Sequence, residues 1–145
     1  MDFTIRVVRL SDSAAVAALS GELGYAVSAP EMDERLRHVG QDPDHAVLVA
    51  CSQDDVPIGW IDVGLTFHVQ YGSYAEIGGL VVTEHARGNG AGAALVRSAE
   101  EWAASRGAKR MLVRSNAVRI DAHRFYLREK YQQKKTSAVF EKNLA

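Results

Sequence analysis

Apolar and polar residues alternate, or form short apolar runs, in six segments, and this pattern predicts strands over residues 3–8, 46–51, 57–67, 74–82, 111–114 and 134–141. Apolar residues recur every three or four positions in four other segments, which predicts helices starting near Ser11 or Asp12, near Pro30, after Gly90 and near Val118. The order is βααβββαβαβ. Three consecutive central strands favour an α/β (α+β) fold with a mixed central β-sheet flanked by helices over a doubly wound parallel sheet.

Length and composition predict one soluble domain over residues 1–145. Apolar residues make up 47% of the chain and charged residues 24%, as in globular proteins. The formal net charge of −1 supplies no strong field for nucleic acid or for an anionic membrane. No apolar run approaches the roughly 20 residues of a membrane span, and the acidic N-terminus is unlike a signal peptide.

Cysteine and histidine usage narrows the chemistry. The chain has one cysteine, Cys51, which excludes an internal disulfide and favours a reducing, cytoplasmic location. Cys51 lies in an apolar strand, where a thiol is expected to be a buried core residue. Five scattered histidines do not have metal-ligand spacing, so we predict no metal site.

The segment Arg87-Gly88-Asn89-Gly90-Ala91-Gly92 carries the strongest functional signal. It follows the apolar run Leu80–Val82 and opens the longest predicted helix. Closely spaced glycines allow a tight turn and let backbone N–H groups approach a ligand. The start of the helix adds unpaired N–H donors and the positive end of its dipole. This combination predicts a site for phosphate or pyrophosphate.

Two common phosphate-binding motifs fit this segment poorly. Gly88 to Ala93 matches the dinucleotide pattern G-x-G-x-x-G/A, but several polar residues separate it from the strand. That motif also needs an acidic residue about 20 positions later, and residues 108–111 contain none. A P-loop needs a lysine directly after its last glycine, which this chain lacks.

The same segment resembles the GCN5-related N-acetyltransferases, whose members carry Arg/Gln-x-x-Gly-x-Gly/Ala between a strand and a helix. Asn116 after the next strand, Tyr126 in the next helix and the predicted element order extend the resemblance over nearly the whole chain. One departure is Lys130, where many members have glycine, and we expect it to change the local turn. The resemblance implies an acyl-CoA N-acyltransferase fold, acetyl-CoA as donor, and a primary amine of a small molecule or peptide as acceptor. A homodimer is compatible with the family.

The resemblance also assigns roles to individual residues. Tyr126 would protonate the leaving thiolate, and Val81 and Val82 would offer backbone N–H groups to the thioester carbonyl. Glu76, two positions before Gly78-Gly79, is our main candidate for the general base, with His68 and Asp62 as alternatives. The residues expected to contact the coenzyme are Leu80, Val81, Val82, Arg87, Gly88, Asn89, Gly90, Ala91, Gly92, Ala93, Asn116 and Arg119.

The acceptor side is less defined by sequence. Aromatic and histidine side chains expected near the acceptor are Tyr25, Phe67, His68 and Tyr74. Glu22, Glu31 and Asp33 are acids that could attract a cationic amine. None of these identifies the amine. A non-catalytic acyl-CoA-binding sensor or interaction module of the same fold is the alternative, although binding alone requires neither Tyr126 nor a base.

Overall fold

A computed structural model of the chain describes residues 2–114 and 120–145, with only the backbone of residue 120. The described chain divides into two compact units, a first that ends at Val113 and a second that begins at Arg114. The first contains β1 (Thr4–Val7), α1 (Ser13–Leu23), α2 (Ala29–Gly40), β2 (His45–Cys51), β3 (Pro57–His68), β4 (Gly72–Val82), α3 (Ala91–Ser105) and β5 (Met111–Val113). The second contains α4 (Ile120–Arg128).

The five strands form one sheet in the order β1-β2-β3-β4-β5. Neighbouring strands are antiparallel from β1 to β4, whereas β5 runs parallel to β4. The sheet is therefore mixed, as the element order predicted. The parallel pair requires a crossover between β4 and β5, and α3 supplies it.

Helices cover both faces of the sheet. On one face, Val47, Val49 and Cys51 pack against Val16, Met32 and Leu36 of α1 and α2. Side chains alternate along a strand, so the neighbouring residues of β2 point to the opposite face. That face receives α3, which packs against β2, β3 and β4 through Leu95, Val96 and Ala99, among others. Cys51 is completely buried, as predicted, and burial raises the pKa of its thiol.

A cluster of charged side chains fixes the start of the chain to the sheet. The Arg6 guanidinium donates to both carboxylate oxygens of Asp12, at 2.8 and 3.0 Å, and its Nε donates to Asp55 at 3.0 Å. Asp12 also accepts from the backbone N–H of Arg9 at 2.7 Å. The hydrogen bonds from Arg6 hold the pKa of Asp12 below its usual range. A helix was predicted to start near Ser11 or Asp12. Asp12 ends a short 3₁₀ turn, Leu10–Asp12, and is the N-cap residue of α1, but its side chain bonds Arg6 and the Arg9 N–H instead of the first N–H groups of α1.

The predicted last strand, residues 134–141, is wrong. Residues 131–145 contain neither helix nor strand, and every residue from Gln132 onward is exposed. The predicted strand contains only three apolar residues, Ala138–Phe140, and Val139 and Phe140 are 88% and 93% exposed, so the segment buries too little apolar surface to offset the entropy of ordering a strand. The structure thus has the order βααβββαβα.

Candidate active site

The glycine segment forms a tight loop between β4 and α3. A short 3₁₀ turn, Glu84–Ala86, follows β4, and Gly90 is the N-cap residue of α3. Gly88 and Gly90 have φ values of +83° and +84°, a left-handed conformation that is costly for residues with a Cβ atom. The chain therefore needs glycine at these two positions for its backbone to turn into the helix.

Side chains of the loop stabilise its shape from within. The Asn89 amide donates to the carbonyl of Ala86 at 3.1 Å and, at 3.4 Å, to that of Arg87. Arg87 Nε donates to the carbonyl of Val82 at 3.0 Å, which uses one of the five N–H donors of the guanidinium. These bonds connect the loop to the end of β4 and preorganise its backbone.

Glu22 of α1 also holds the start of this loop. Its carboxylate accepts from Thr83 Oγ1 at 2.9 and 3.1 Å and from the backbone N–H of Glu84 at 3.2 Å. Glu31 likewise caps α2 by accepting from Ser28, and Asp33 accepts from Ser13 and Arg37. The three acids that were predicted to attract an amine thus have structural partners.

The outer side of the loop has room for a phosphate group. A Cβ atom built on Gly88 or on Gly90 would meet no other atom within 4 Å. The first N–H groups of α3 have no partner inside the helix, and the helix dipole makes this end positive. Open space beside such donors is an arrangement that can accept a phosphate group.

Among the described residues, β5 pairs with only part of β4, at Ala75, Glu76 and Ile77. From Gly79 to Val82, β4 pairs with β3 on its other side. Backbone N–H and C=O groups along an unpaired strand edge can bond a ligand that has amide groups of its own. Leu80, Val81 and Val82, the predicted coenzyme contacts, lie on this stretch.

Gly78 and Gly79 form a bulge in β4 opposite a single residue of β3, Asp62. A Cβ atom on Gly79 would lie 3.0 Å from the Trp60 ring, and one on Gly78 would lie 3.1 Å from Oδ2 of Asp62. Both glycines therefore make room for side chains of β3. The bulge also interrupts the regular pairing of β4 directly after Ile77, the residue that follows Glu76.

Glu76 and Asp62 point to the same face of the sheet. Glu76 is half-buried and pairs with Gly64, two residues beyond Asp62 on β3. The Asp62 carboxylate forms a hydrogen bond with Nε2 of His45, whose partner in β3 is also Gly64. His45 was missed in the sequence analysis because a polar residue at the start of a strand gives no local signal. Only the register across three strands brings it beside Asp62.

The four residues predicted near the acceptor do not line one common surface. Tyr74 is completely buried, and His68 stacks on it with ring centroids 5.8 Å apart. Phe67 is 70% exposed and points to the opposite face, because adjacent strand residues alternate. Tyr25 is also 70% exposed, in the loop between α1 and α2.

The second unit places Tyr126 on α4, half-buried among aromatic rings. Phe125 and Tyr131 contact it edge-on, with centroids 5.1 and 5.7 Å away. Lys130, predicted to change the local turn, has a φ of +73°, the left-handed conformation that a glycine would take. The backbone N–H of Tyr131 then donates to the Tyr126 carbonyl at 3.0 Å, a common helix C-cap arrangement. Two predicted coenzyme contacts, Asn116 and Arg119, lie outside the described residues.

Comparison with known proteins finds an N-acetyltransferase that is similar in sequence to this chain. An aminoalkylphosphonate N-acetyltransferase of Salmonella typhimurium is 39% identical over 93 residues, 63% of this chain and 60% of that protein. The matched part thus spans about three fifths of the relative's length.

No helix in the described part of the chain is both long enough and apolar enough to cross a membrane.

Two solved structures superpose on nearly the whole chain. A transcriptional regulator from Bacillus halodurans C-125 is 25% identical, with a TM-score of 0.86 over 97% of this chain and 99% of its own. AAC(6')-Iy, solved in complex with the bisubstrate analogue CoA-S-monomethyl-acetylneamine, is 15% identical, with a TM-score of 0.86 over 99% of both chains. At 15% identity, the similarity to AAC(6')-Iy shows only that the two chains share a fold.

The family model described as the acetyltransferase (GNAT) family matches residues 14–130, which include the glycine loop, the β4 bulge and Tyr126. The resemblance inferred from the sequence is confirmed, and the chain belongs to the acetyltransferase (GNAT) family.

Proposed function

We propose that this chain is an acetyl-CoA-dependent N-acetyltransferase that acts on a primary amine of a small molecule or peptide. The observation that carries the proposal is the Gly88–Gly90 turn, open on its outer side and joined to the N-terminus of α3. Membership of the GNAT family supports acetyl-CoA as the molecule that this turn holds.

Donor binding would use the loop and the open edge of β4. Backbone N–H groups from Gly88 to Ala93 would bind the pyrophosphate, with Arg87 as a further cation. Backbone groups of Leu80, Val81 and Val82 would bond the pantetheine arm, and Asn116 and Arg119 are proposed to add contacts. When bound, acetyl-CoA supplies the thioester whose acetyl group is transferred to the amine.

The chain's own residues would then manage protons. An alkylamine is mostly protonated at pH 7, and holding it neutral costs about 4.6 kcal/mol. Glu76, half-buried beside the β4 bulge, is the proposed acceptor of that proton, directly or through water. Tyr126 is the proposed donor of a proton to the departing sulfur. Backbone N–H groups of Val81 and Val82 would stabilise negative charge on the carbonyl oxygen.

The nature of the amine is the least constrained part of the proposal. Aminoalkylphosphonates are the first acceptors to test, because the relative that is 39% identical is named for them. Alkyl diamines, amino sugars and peptide N-termini form the rest of a reasonable panel, since the half-buried carboxylates near the bulge suit any primary ammonium.

Thiol release from acetyl-CoA, measured with and without each amine, tests the proposal. We expect release that depends on at least one amine and that saturates with its concentration. Tight coenzyme binding without amine-dependent release across the panel would contradict catalysis. It would support the alternative of a coenzyme-binding sensor.

A further inference from the structure

The half-exposed pair formed by His45 and Asp62 lies where an acceptor would reach the β4 bulge. We propose that Asp62, held in place by His45, is the subsite that binds the ammonium group of the acceptor amine. This inference rests on the proposed function and adds two residues to it. Asp62 would touch the substrate, and His45 would be a positioning residue that acts through Asp62.

The Asp62 carboxylate is directed toward the β4 bulge. One oxygen of Asp62 is bonded to His45 Nε2, and the other, Oδ2, lies over Gly78 of the bulge. A carboxylate has about four lone-pair sites, so the bond to His45 leaves acceptor capacity at Oδ2. An ammonium group bonded there would sit at the β4 bulge, between Glu76 and the Leu80–Val82 stretch that is proposed to hold the donor.

The sheet surface between the His45–Asp62 pair and Glu76 is not covered by a side chain of β3. Gly64 is the residue of β3 that pairs with both His45 and Glu76. Because Gly64 has no side chain, none stands between them on this face. The Asp62 and His45 side chains are 36% and 28% exposed, so a small ligand can reach them.

A third observation points to a ligand independently of these charges. Tyr74 lies two residues before Glu76 on the same face of β4, and its side chain is completely buried. Its hydroxyl has no hydrogen-bond partner among the residues that the structure describes. A buried hydroxyl without a partner is unusual in a folded protein. A water, or a polar group of a ligand that reaches the Tyr74 ring where it lies against His68, Tyr71 and Arg110, would satisfy it.

The pair differs from the ion pair that stabilises the fold. Arg6 and Asp12 are 17% and 7% exposed and form two hydrogen bonds, and Arg6 also bonds Asp55 in the β2–β3 turn, which ties β1 to a distant part of the chain. Asp62 and His45 belong to neighbouring strands that the sheet already joins. Their contact is not needed to connect β2 to β3, and this favours a role in ligand binding.

Binding of matched ligands to the coenzyme-loaded protein tests the proposal. The probes are 2-aminoethylphosphonate, 1,4-diaminobutane and glucosamine, each compared with the analogue that carries hydroxyl in place of the amine. For an amine that binds, we expect the wild type to prefer it over its analogue by about 10- to 100-fold, as for a hydrogen bond between charged groups. Asp62→Asn should remove most of that preference and raise the KM for the amine similarly. Coenzyme affinity and Tm should stay unchanged.

Two further variants separate positioning from direct contact. His45→Ala frees the carboxylate and should lower kcat/KM for the amine about tenfold, the value of one hydrogen bond to a charged group. His45→Gln keeps an N–H donor at similar reach and should restore most of the loss. Asp54→Asn removes an exposed carboxylate from the β2–β3 turn and is the matched control, expected to behave as wild type.

The outcomes distinguish this inference from the function on which it rests. If the wild type binds and acetylates an amine and Asp62→Asn keeps the full preference for it, the Asp62 subsite is wrong. If no amine binds or reacts although coenzyme binds, the acetyltransferase proposal itself fails.

Discussion

The donor side and the acceptor side of the proposed active site are built in opposite ways. The donor loop consists of consecutive residues, Arg87 to Gly92, whose shape is held by bonds within the loop and by Glu22. The acceptor face combines His45, Asp62 and Glu76 from three different strands. A loop of consecutive residues can be kept as a unit in many proteins, whereas a surface built across strands can change one side chain at a time. This difference explains how a family can share a donor and vary its acceptors.

The largest expected effect is on the donor side alone. Gly90→Asp places a carboxylate beside the proposed pyrophosphate and a Cβ on a residue with φ of +84°. Repulsion at the helix N-terminus should raise the Kd for acetyl-CoA by at least about 100-fold, since the charge opposes several charge-assisted bonds. Calorimetric titration with coenzyme measures the Kd of the wild type and of the variant.

Gly107→Asp is the matched control, because Gly107 has a φ of +86° at the other end of α3. It should cause comparable backbone strain and leave coenzyme affinity unchanged. An unaltered Kd in Gly90→Asp would rule out the phosphate-loop assignment.

Tyr126→Phe should slow the chemistry without affecting either binding region. Loss of a general acid lowers kcat by about 100-fold or more. The Kd for acetyl-CoA should change by less than about twofold, because the substitution keeps the aromatic ring. Steady-state kinetics and coenzyme titration give the two numbers. Tyr131→Phe, a neighbouring ring 5.7 Å away, serves as control. An undiminished kcat in Tyr126→Phe would remove its proposed role.

Glu76→Gln probes the acceptor side. Without a carboxylate to accept the proton of the amine, kcat/KM for the amine at pH 7 should fall by about 100-fold. The loss should shrink as the pH approaches that at which the free amine is already neutral. Glu34→Gln, on the exposed side of α2, is the control. An equal loss at every pH would argue for a binding role instead of a base.

Asp12→Asn should affect stability and spare catalysis, in contrast to Asp62→Asn. The substitution removes one of the two carboxylates that Arg6 bonds, while Asp55 stays bonded to it, and should lower the free energy of unfolding by about 2 kcal/mol, as for a hydrogen bond to a charged group. The pKa of Asp12 is lowered in the folded state, so its contribution is present above about pH 4 and is lost as the pH falls through the folded-state value. Denaturant unfolding from pH 7 to pH 2 should therefore show the wild type and the variant converging at acid pH. A constant gap would contradict this account.

Lys130→Gly should have the smallest effect and a favourable one. Lys130 has φ of +73°, which costs an L-residue about 1 kcal/mol that glycine avoids. Hydrogen exchange at the end of α4 should slow in the variant. Lys134→Gly, beyond the helix, should show no such gain.

The shape of the glycine loop could be predicted from sequence, whereas the contact between His45 and Asp62 could not, and the reason is physical. Gly88 and Gly90 are required by local backbone geometry, which a sequence shows directly. His45 and Asp62 meet only because β2 and β3 pair in one register, and nothing within either strand specifies that contact. The last predicted strand failed for a related reason, because alternation in residues 134–141 cannot show whether a packing surface exists. Glu22, Glu31 and Asp33 all accept hydrogen bonds from nearby parts of the chain, which shows that an acid near a loop often stabilises local structure.

The most direct test of the central claim follows the acetyl group itself. The protein is incubated with acetyl-CoA labelled in its acetyl group and with the amines of the panel, and the products are identified by mass spectrometry. We predict that the label appears on the nitrogen of at least one primary amine, in amounts equal to the thiol released. Release of thiol with the label only in free acetate, or no release with any amine, would contradict the claim that this chain is an N-acetyltransferase.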